Sequence, residues 1–457
     1  MNSISRILKE AREEKGWGLT DIQRAIGIDA AQISRIENAV RLPTADQALK
    51  LAELYGIDPD ALLVQLESDK IVEGIKYPDL AHKTLRAAEE KIRLGSRYMT
   101  LFREYLYTAP IGIESRRYIG SKAKLTDWII ETIQTEAPEA RSFCDLFGGT
   151  GVVTNRALRI YGRVVVNDFL YSNNVIYRAF FGKGEWDRTK LLDIICGWND
   201  LVADLLPENY FSEHYGGKFF ASGTSKIIGH IRQKIEDERR NLTEKEYAIL
   251  LATLIYNIDR HSNTVGHFDA YIKKPITDTQ IAFRLIDAGA FDGVEIYRED
   301  ANQLVREIEA DIFYLDPPYN SRQYSRFYHL YETLVKWDAP ELYGTALKPA
   351  PENMSRYCTT KAAEAFRDLA SNMKAKYIAV SYNNTYHSKS KSSENKIRLE
   401  TIERILRQVG ETKIFRHSHK AFTTGKTEFE DHQEYLFITK VDETKRIQAV
   451  TPLLRGR

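Results

Sequence analysis

Cysteine is nearly absent. Cys144, Cys196 and Cys358 stand far apart in 457 residues and include no C-x-x-C pair, which excludes a disulfide framework and offers no zinc spacing. No metal site is expected, and a reducing compartment fits. Long apolar runs are missing as well: none approaches 18 residues, so no membrane span is expected. The first residues, MNSISRILKEAREEKG, are charged from residue 6 and lack the apolar stretch of a secretory signal. An excess of either charge is also lacking. Lysine and arginine total 65 against 64 acidic residues, a net charge of +1, which excludes a uniformly basic histone-like binder and requires any nucleic-acid surface to be local. The close pair His417 and His419 has no metal-ligand spacing around it and reads as surface.

What is present is an ordinary globular composition, 43% apolar and 28% charged, in a chain long enough for two to four domains. Tyrosine is abundant at 26 residues; such rings fill cores and stack on bases.

Residues 1–65 read as short helices. Ile4, Leu8 and Ala11 form one stripe, Gly16 to Gly18 breaks it, and Thr20 is placed to cap a second helix carrying Ile22, Ala25 and Ile26. After a turn at Gly27-Ile28-Asp29, a third helix from Ala30 to Asn38 turns Ile33 and Ile36 inward and leaves Gln32, Ser34 and Arg35 outside. Two short helices around a glycine turn form a helix-turn-helix pattern. The stretch Leu19–Ile57, most of all ISRIENAVRLP, resembles the Cro/C1-repressor (XRE) family, and that resemblance gives Gln32, Ser34 and Arg35 DNA contacts. Residues 66–109 read as a charged helical linker. Between 91 and 130, Lys91, Arg93, Arg97, Arg103, Arg116, Arg117, Lys122 and Lys124 outnumber three acids, a local surplus able either to track phosphates or to face solvent.

The chemistry begins at RSFCDLFGGTGVVTNRALR, residues 141–159: an apolar run, a glycine turn, then helical spacing. Glycines there admit a ligand close to the backbone, and the helix start presents free N–H groups. RVVVNDF follows and ends near Asp168, placed to accept from ribose hydroxyls. In DIFYLDPPYNSRQYSRFYHLYETL, residues 311–334, a strand runs into Asp316-Pro317-Pro318-Tyr319. Two prolines fix the backbone and remove two amide donors. The Asp316 carboxylate and the Pro317 carbonyl are then suited to accept both N–H groups of an exocyclic base amine, and Tyr319 offers a stacking face.

With these motifs the chain resembles the Dam-like N6-adenine DNA methyltransferases, in their alpha-group order. Within that family, DPPYNSRQYSRFYHLYET, SNTVGHFDAYIKK (262–274) and VSYNN (380–384) are most similar to the methyltransferases of FokI-type restriction-modification systems, though here each motif occurs once. The resemblance implies an α/β fold with a Rossmann-like sheet, S-adenosylmethionine as cofactor, and double-stranded DNA as substrate. It implies catalytic roles for Asp316, Pro317, Pro318 and Tyr319. Tyr118, Gly120, Ser121 and Lys122 of RRYIGSKAKL, Asp145, Phe147, Gly149 and Gly151 of DLFGGTG, Asp168, and Asp300 of VEIYREDANQL would serve the cofactor. The methyltransferase domain is expected over 110–445, with a target-recognition insert at 175–290 and a tail at 446–457. About 130 residues between Asp168 and Asp300 exceed one crossover and must carry their own structure. Within and beyond that insert, Arg260, Asn263, Lys273, Arg322 and Tyr324 are the leading DNA contacts, with Lys218, Lys226, Arg232, Arg239, Arg240 and Lys274 as further candidates. YIAVSYNN (377–384) and EYLFITK (434–440) are expected to complete the sheet. A cognate restriction endonuclease is the expected functional partner, a prokaryotic cytoplasm with nucleoid association the expected location, and no oligomeric state is assigned. N4-cytosine methylation and a transcriptional regulator with an inactive methylase body are the competing readings; Asp before the two prolines favours adenine.

Overall fold

The computed structural model describes residues 3–74, 110–274, 276–279, 281–384, 394–418 and 433–454, and the chain divides into two compact units, 1–99 and 100–457. The first unit contains α1 (Ser3–Glu14), α2 (Leu19–Ile26), α3 (Ala30–Glu37), α4 (Ala45–Tyr55) and α5 (Pro59–Gly74). Ile4 and Leu8 of α1, Ile22, Ile33 and Ile36 meet Leu51, Tyr55, Leu62 and Leu66 in one apolar core. Each such burial contributes about 1.5–3 kcal/mol. The residue capping α2 is Gly18, whose N–H donates to Asp21 at 2.8 Å. Thr20 therefore lies inside the first turn, correcting its assignment as the cap. Asp29 caps α3 by accepting from Ala31 and Gln32. The expected boundary at residue 65 falls within α5: Leu66 is core, and Asp69 accepts from the Ile4 amide at 2.7 Å. Most of the 66–109 linker, including Lys91, Arg93, Arg97 and Arg103, lies outside the described residues.

The second unit is built on seven strands: β1 (Ser142–Asp145), β2 (Arg163–Asn167), β3 (Val294–Tyr297), β4 (Glu309–Leu315), β5 (Lys374–Asn383), β6 (Gly410–Ser418) and β7 (Gln433–Val441). Their order is β3-β2-β1-β4-β5-β7-β6, with β7 antiparallel to both neighbours and the β3-to-β5 pairings parallel. Alternate residues go to opposite faces. Phe143, Val164, Val166, Ile312, Tyr314, Leu436 and Ile438 face one helical layer, while Cys144, Val165, Phe313, Leu315, Val380 and Phe437 face the other. This is the expected Rossmann-like α/β architecture, with YIAVSYNN in β5 and EYLFITK in β7.

The insert carries its own helices but not its own core. Tyr171–Phe180, Ser222–Asp237 and Glu244–Ile258 pack into the same apolar cluster as the first sheet face. The last of these is capped by Thr243 and buried on nearly every side, as a core helix should be. The expected tail also starts inside structure: Glu443–Leu454 is a helix, and Arg446 donates to the Ser371 carbonyl. No helix among the described residues is long and apolar enough to cross a membrane.

Candidate active site

β1, β2, β3 and β4 all deliver a carboxylate at their carboxyl ends: Asp145 ends β1, Asp168 follows β2, Asp300 follows β3 and Asp316 follows β4. Parallel α/β sheets bind ligands at this edge, where strand order reverses beside the first strand. The four line one cleft that opens to solvent.

The glycine turn shapes its floor. Gly148 lies so close to Val166 and Tyr177 that a β-carbon would sit 2.7 Å from the tyrosine hydroxyl. Gly149 adopts a φ of +52° and sends its N–H to Asp168 at 2.9 Å. Asp168 also accepts from Leu170, and burial raises its pKa. Asn167 ties the strand ends together, donating to the Leu146 and Glu299 carbonyls and accepting from the Glu299 amide. Asp300 caps the short helix Ala301–Leu304. Asp145 is almost fully buried: Oδ2 accepts from Thr154 at 2.7 Å, and Oδ1 has no partner. Burial pushes its pKa up to about 7, with Asp316 and Asp168 adding to the rise.

Tyr118, Gly120, Ser121 and Lys122 form the opposite wall with Tyr324. The Tyr118 ring lies 4.4 Å from Tyr328 and nearly parallel to it, and 5.3 Å from Tyr324. Tyr328 accepts from the Ile119 amide, and Tyr324 donates to the Ile119 carbonyl. Arg116 lies under Tyr118 at 4.8 Å, donates to Asn173, and leaves Nε unpartnered.

Lys122 reaches the DPPY tetrapeptide. Its Nζ is 3.0 Å from Asp316, 2.6 Å from the Tyr319 hydroxyl and 3.2 Å from Glu434. Tyr319 donates to Asp316. Burial raises the Asp316 pKa to about 6; Lys122 opposes the rise and Glu434 adds to it. Burial pulls Lys122 down, but Asp316 and Glu434 hold its pKa above the ordinary value.

Of the sequence candidates, Tyr118, Gly120, Ser121, Lys122, Asp145, Phe147, Gly149, Asp168, Asp300, Asp316, Pro318 and Tyr324 line the cleft. Gly151, Pro317 and Tyr319 do not. Gly151 is packed against Ile113, Tyr177 and Phe181, and Tyr319 turns its hydroxyl into the Lys122 cluster while its ring meets Tyr382 at 4.5 Å. The sequence missed Gln323 and Ser355, which line the cleft and exchange two hydrogen bonds, and it missed Glu434.

Several basic candidates are internal. Arg232 is fully buried and donates to the Leu334 and Val335 carbonyls, Glu236 and Tyr247, which corrects its reading as a phosphate contact. Arg116 and Lys122 are likewise buried, and Arg117 pairs with Asp259 at 3.0 Å. Lys226 pairs with Glu208 and Arg239 with Glu244. The Asn263 amide is spent on the Lys218 and Ile272 carbonyls. Arg260, Arg240, Lys273 and Lys274 are exposed, and Arg322 is half-buried over Phe327. The segment 262–274 joins the DPPY extension through Phe268, whose N–H donates to the Phe327 carbonyl at 2.7 Å. In the first unit Arg35 is exposed, Ser34 accepts from Asn38, and Gln32 accepts from Gln47. His417 is half-buried and stacks on Trp128, not free at the surface as expected; His419 lies outside the described residues.

Residues 118–403 match the D12 class N6 adenine-specific DNA methyltransferase family, and residues 6–68 match a helix-turn-helix domain family. The chain is 31% identical over 350 residues to the type II methyltransferase M.NlaIII of Neisseria lactamica, covering 70% of this chain and 98% of that protein. It is 33% identical over 351 residues to the type II methyltransferase M.FokI of Planomicrobium okeanokoites, covering 71% of this chain and 53% of that protein. Over 91 residues it is 32% identical to the HTH-type transcriptional regulator ImmR of Bacillus subtilis (strain 168), 20% of this chain and 68% of that protein.

Proposed function

Because the chain belongs to the D12 class N6 adenine-specific DNA methyltransferase family, we propose that it methylates adenine N6 at a specific site in double-stranded DNA, using S-adenosylmethionine, within a restriction-modification system. The observation that carries this reading is the convergence of Asp145, Gly149, Asp168, Asp300 and Asp316 on one cleft.

The residues present fit that cofactor. Five carboxylates, Asp145, Asp168, Glu299, Asp300 and Asp316, line the cleft against a single ammonium, Lys122. This balance suits a ligand with ammonium and sulfonium centres and one carboxylate, and the unpartnered Asp145 Oδ1 awaits a donor. Tyr118, Gly120, Ser121, Phe147, Gly149, Asp145, Asp168 and Asp300 would hold it. When bound it supplies an electrophilic methyl group.

The remaining work falls to the protein. An adenine is turned out of the duplex at a cost of a few kcal/mol. The Asp316 carboxylate accepts from its amine, which draws the nitrogen lone pair out of conjugation. Rate comes from orientation and from carboxylate stabilisation of the charge growing on nitrogen. Tyr324, stacked on Tyr118 at the cleft wall, is a surface for the flipped base. Arg260, Lys273, Lys274 and Arg322 supply DNA contacts. The helix-turn-helix, similar to that of a transcriptional regulator, binds DNA through α3, either at the promoter of the protein's own operon or beside the methylation site.

Transfer of label from methyl-labelled S-adenosylmethionine to duplex DNA, followed by nucleoside analysis, tests the reading. N6-methyladenine is expected; N4-methylcytosine or unlabelled DNA would overturn it.

A further inference from the structure

Glu434 stands in no sequence motif and beyond residue 403, where the family match ends. It occupies the apolar face of β7 two residues before Leu436 and four before Ile438, and is 3% exposed. A carboxylate in such a place is expensive unless it is paired. Two of its partners hold the DPPY aspartate, Lys122 Nζ at 3.2 Å and the Tyr319 hydroxyl at 3.2 Å, and a third, the Ser381 hydroxyl, donates to it at 2.8 Å.

We infer that Glu434 is a positioning residue for methyl transfer, holding Lys122 and Tyr319 so that the Asp316 carboxylate keeps its acceptor strength for the target amine. This rests on the function proposed above. With Lys122 and Asp316 alone, a buried ammonium and carboxylate neutralise each other, and an incoming amine must compete with the ammonium for the same oxygens. Glu434 adds a second carboxylate, so the cluster carries one negative charge in excess. Nζ has three acceptors within 3.2 Å, and release of Asp316 leaves it still paired. The same excess negative charge faces the positive charge that develops on the attacking nitrogen.

The geometry that permits this comes from the antiparallel insertion of β7 beside β5, which sets Glu434 opposite Asn383 and within reach of Ser381. Other titratable groups facing the cluster are Tyr314 on β4, Tyr382 on β5, and Asp145 and Tyr324 on the cleft wall. Tyr314 and Tyr324 are driven far above neutral pH by burial, which leaves Asp316 and Asp145 to titrate in the working range.

The test is Glu434→Gln in the full chain, which keeps the volume and an acceptor for Ser381 and removes only the charge. The expected result is a fall in kcat of tenfold or more, KM for DNA and cofactor within threefold, an unchanged melting temperature, and an acid limb of the kcat profile moved to lower pH because Asp316 loses a negative neighbour. Glu434→Asp restores part of kcat and returns the limb toward wild type. A purely structural glutamate would give the opposite pattern: wild-type kcat and an unmoved limb in Glu434→Gln, which overturns this inference alone. Failure of the wild-type protein to methylate DNA overturns the proposed function and this inference together.

Discussion

Lys122 Nζ lies 3.0 Å from Asp316, with both side chains largely withdrawn from solvent. RRYIGSKAKL and DPPY, far apart in the chain, thus form one charged unit. Replacing Asp316 by Ala strands the ammonium on Glu434 and removes the acceptor for the base amine. Methyl transfer should fall by at least a thousandfold while cofactor affinity, measured by calorimetry, stays within about threefold; turnover near wild type would remove Asp316 from the mechanism.

The pH profile follows from the same pair. Asp316 must be ionised to accept, and its pKa stands at about 6, so kcat should decline tenfold per pH unit below that value and level off above it. Single-turnover rates between pH 4.5 and 8.5 at constant ionic strength check this. A limb near pH 4 would mean that the carboxylate is not burdened by burial during catalysis.

Asp145 sacrifices stability. Its pKa rises from an ordinary 3.8 to about 7 on folding, so between those values the native state binds more protons than the unfolded chain, and stability falls as pH rises through that window. The rise corresponds to about 4 kcal/mol, of which an unpaired amide in Asp145→Asn returns about 1–3. The substitution should therefore raise the melting temperature at pH 8, leave it unchanged or lowered at pH 5, and weaken cofactor binding. A pH-independent difference would refute the assignment.

Buried and exposed cations should separate cleanly. Arg232→Ala leaves the Leu334 and Val335 carbonyls without their donor and should cost about 3 kcal/mol of stability, with no change in the salt dependence of DNA binding. Lys273→Ala and Lys274→Ala should each lower the slope of log K against log salt by about 1 and leave the melting temperature alone. Binding isotherms at four salt concentrations, with thermal melts of the same samples, distinguish the two classes.

For the first unit, Arg35→Ala should weaken binding to DNA upstream of the protein's own gene by tenfold or more and leave the methylation rate within twofold. Equal loss of both would assign α3 to target binding and not to autoregulation.

These outcomes draw unequally on what the chain discloses in one dimension. DLFGGTG and DPPY are compact, because a turn and its flanking strand are made by neighbours, so the cleft's glycine loop and Asp316 were legible. Strands β1, β2, β4, β5 and β7 show apolar runs. β6 does not: GETKIFRHS alternates with charges, as an edge strand should, and it was missed. Glu434 was invisible because its role exists only once β7 inserts antiparallel between β5 and β6. A count of basic residues cannot separate Arg232, which feeds two buried carbonyls, from exposed Lys273. Tyr319 illustrates the same limit, since its hydroxyl partners come from segments on either side and turn it away from the cleft.

The parallel rings of Tyr118 and Tyr328, with Tyr324 beside them, make one slab that is wall to the cleft on one side and belongs to the DPPY extension on the other. Any coupling between two ligands that share a wall is reciprocal: whatever factor bound DNA applies to cofactor binding, cofactor must apply to DNA, so a cofactor titration with and without duplex reads out what this slab transmits.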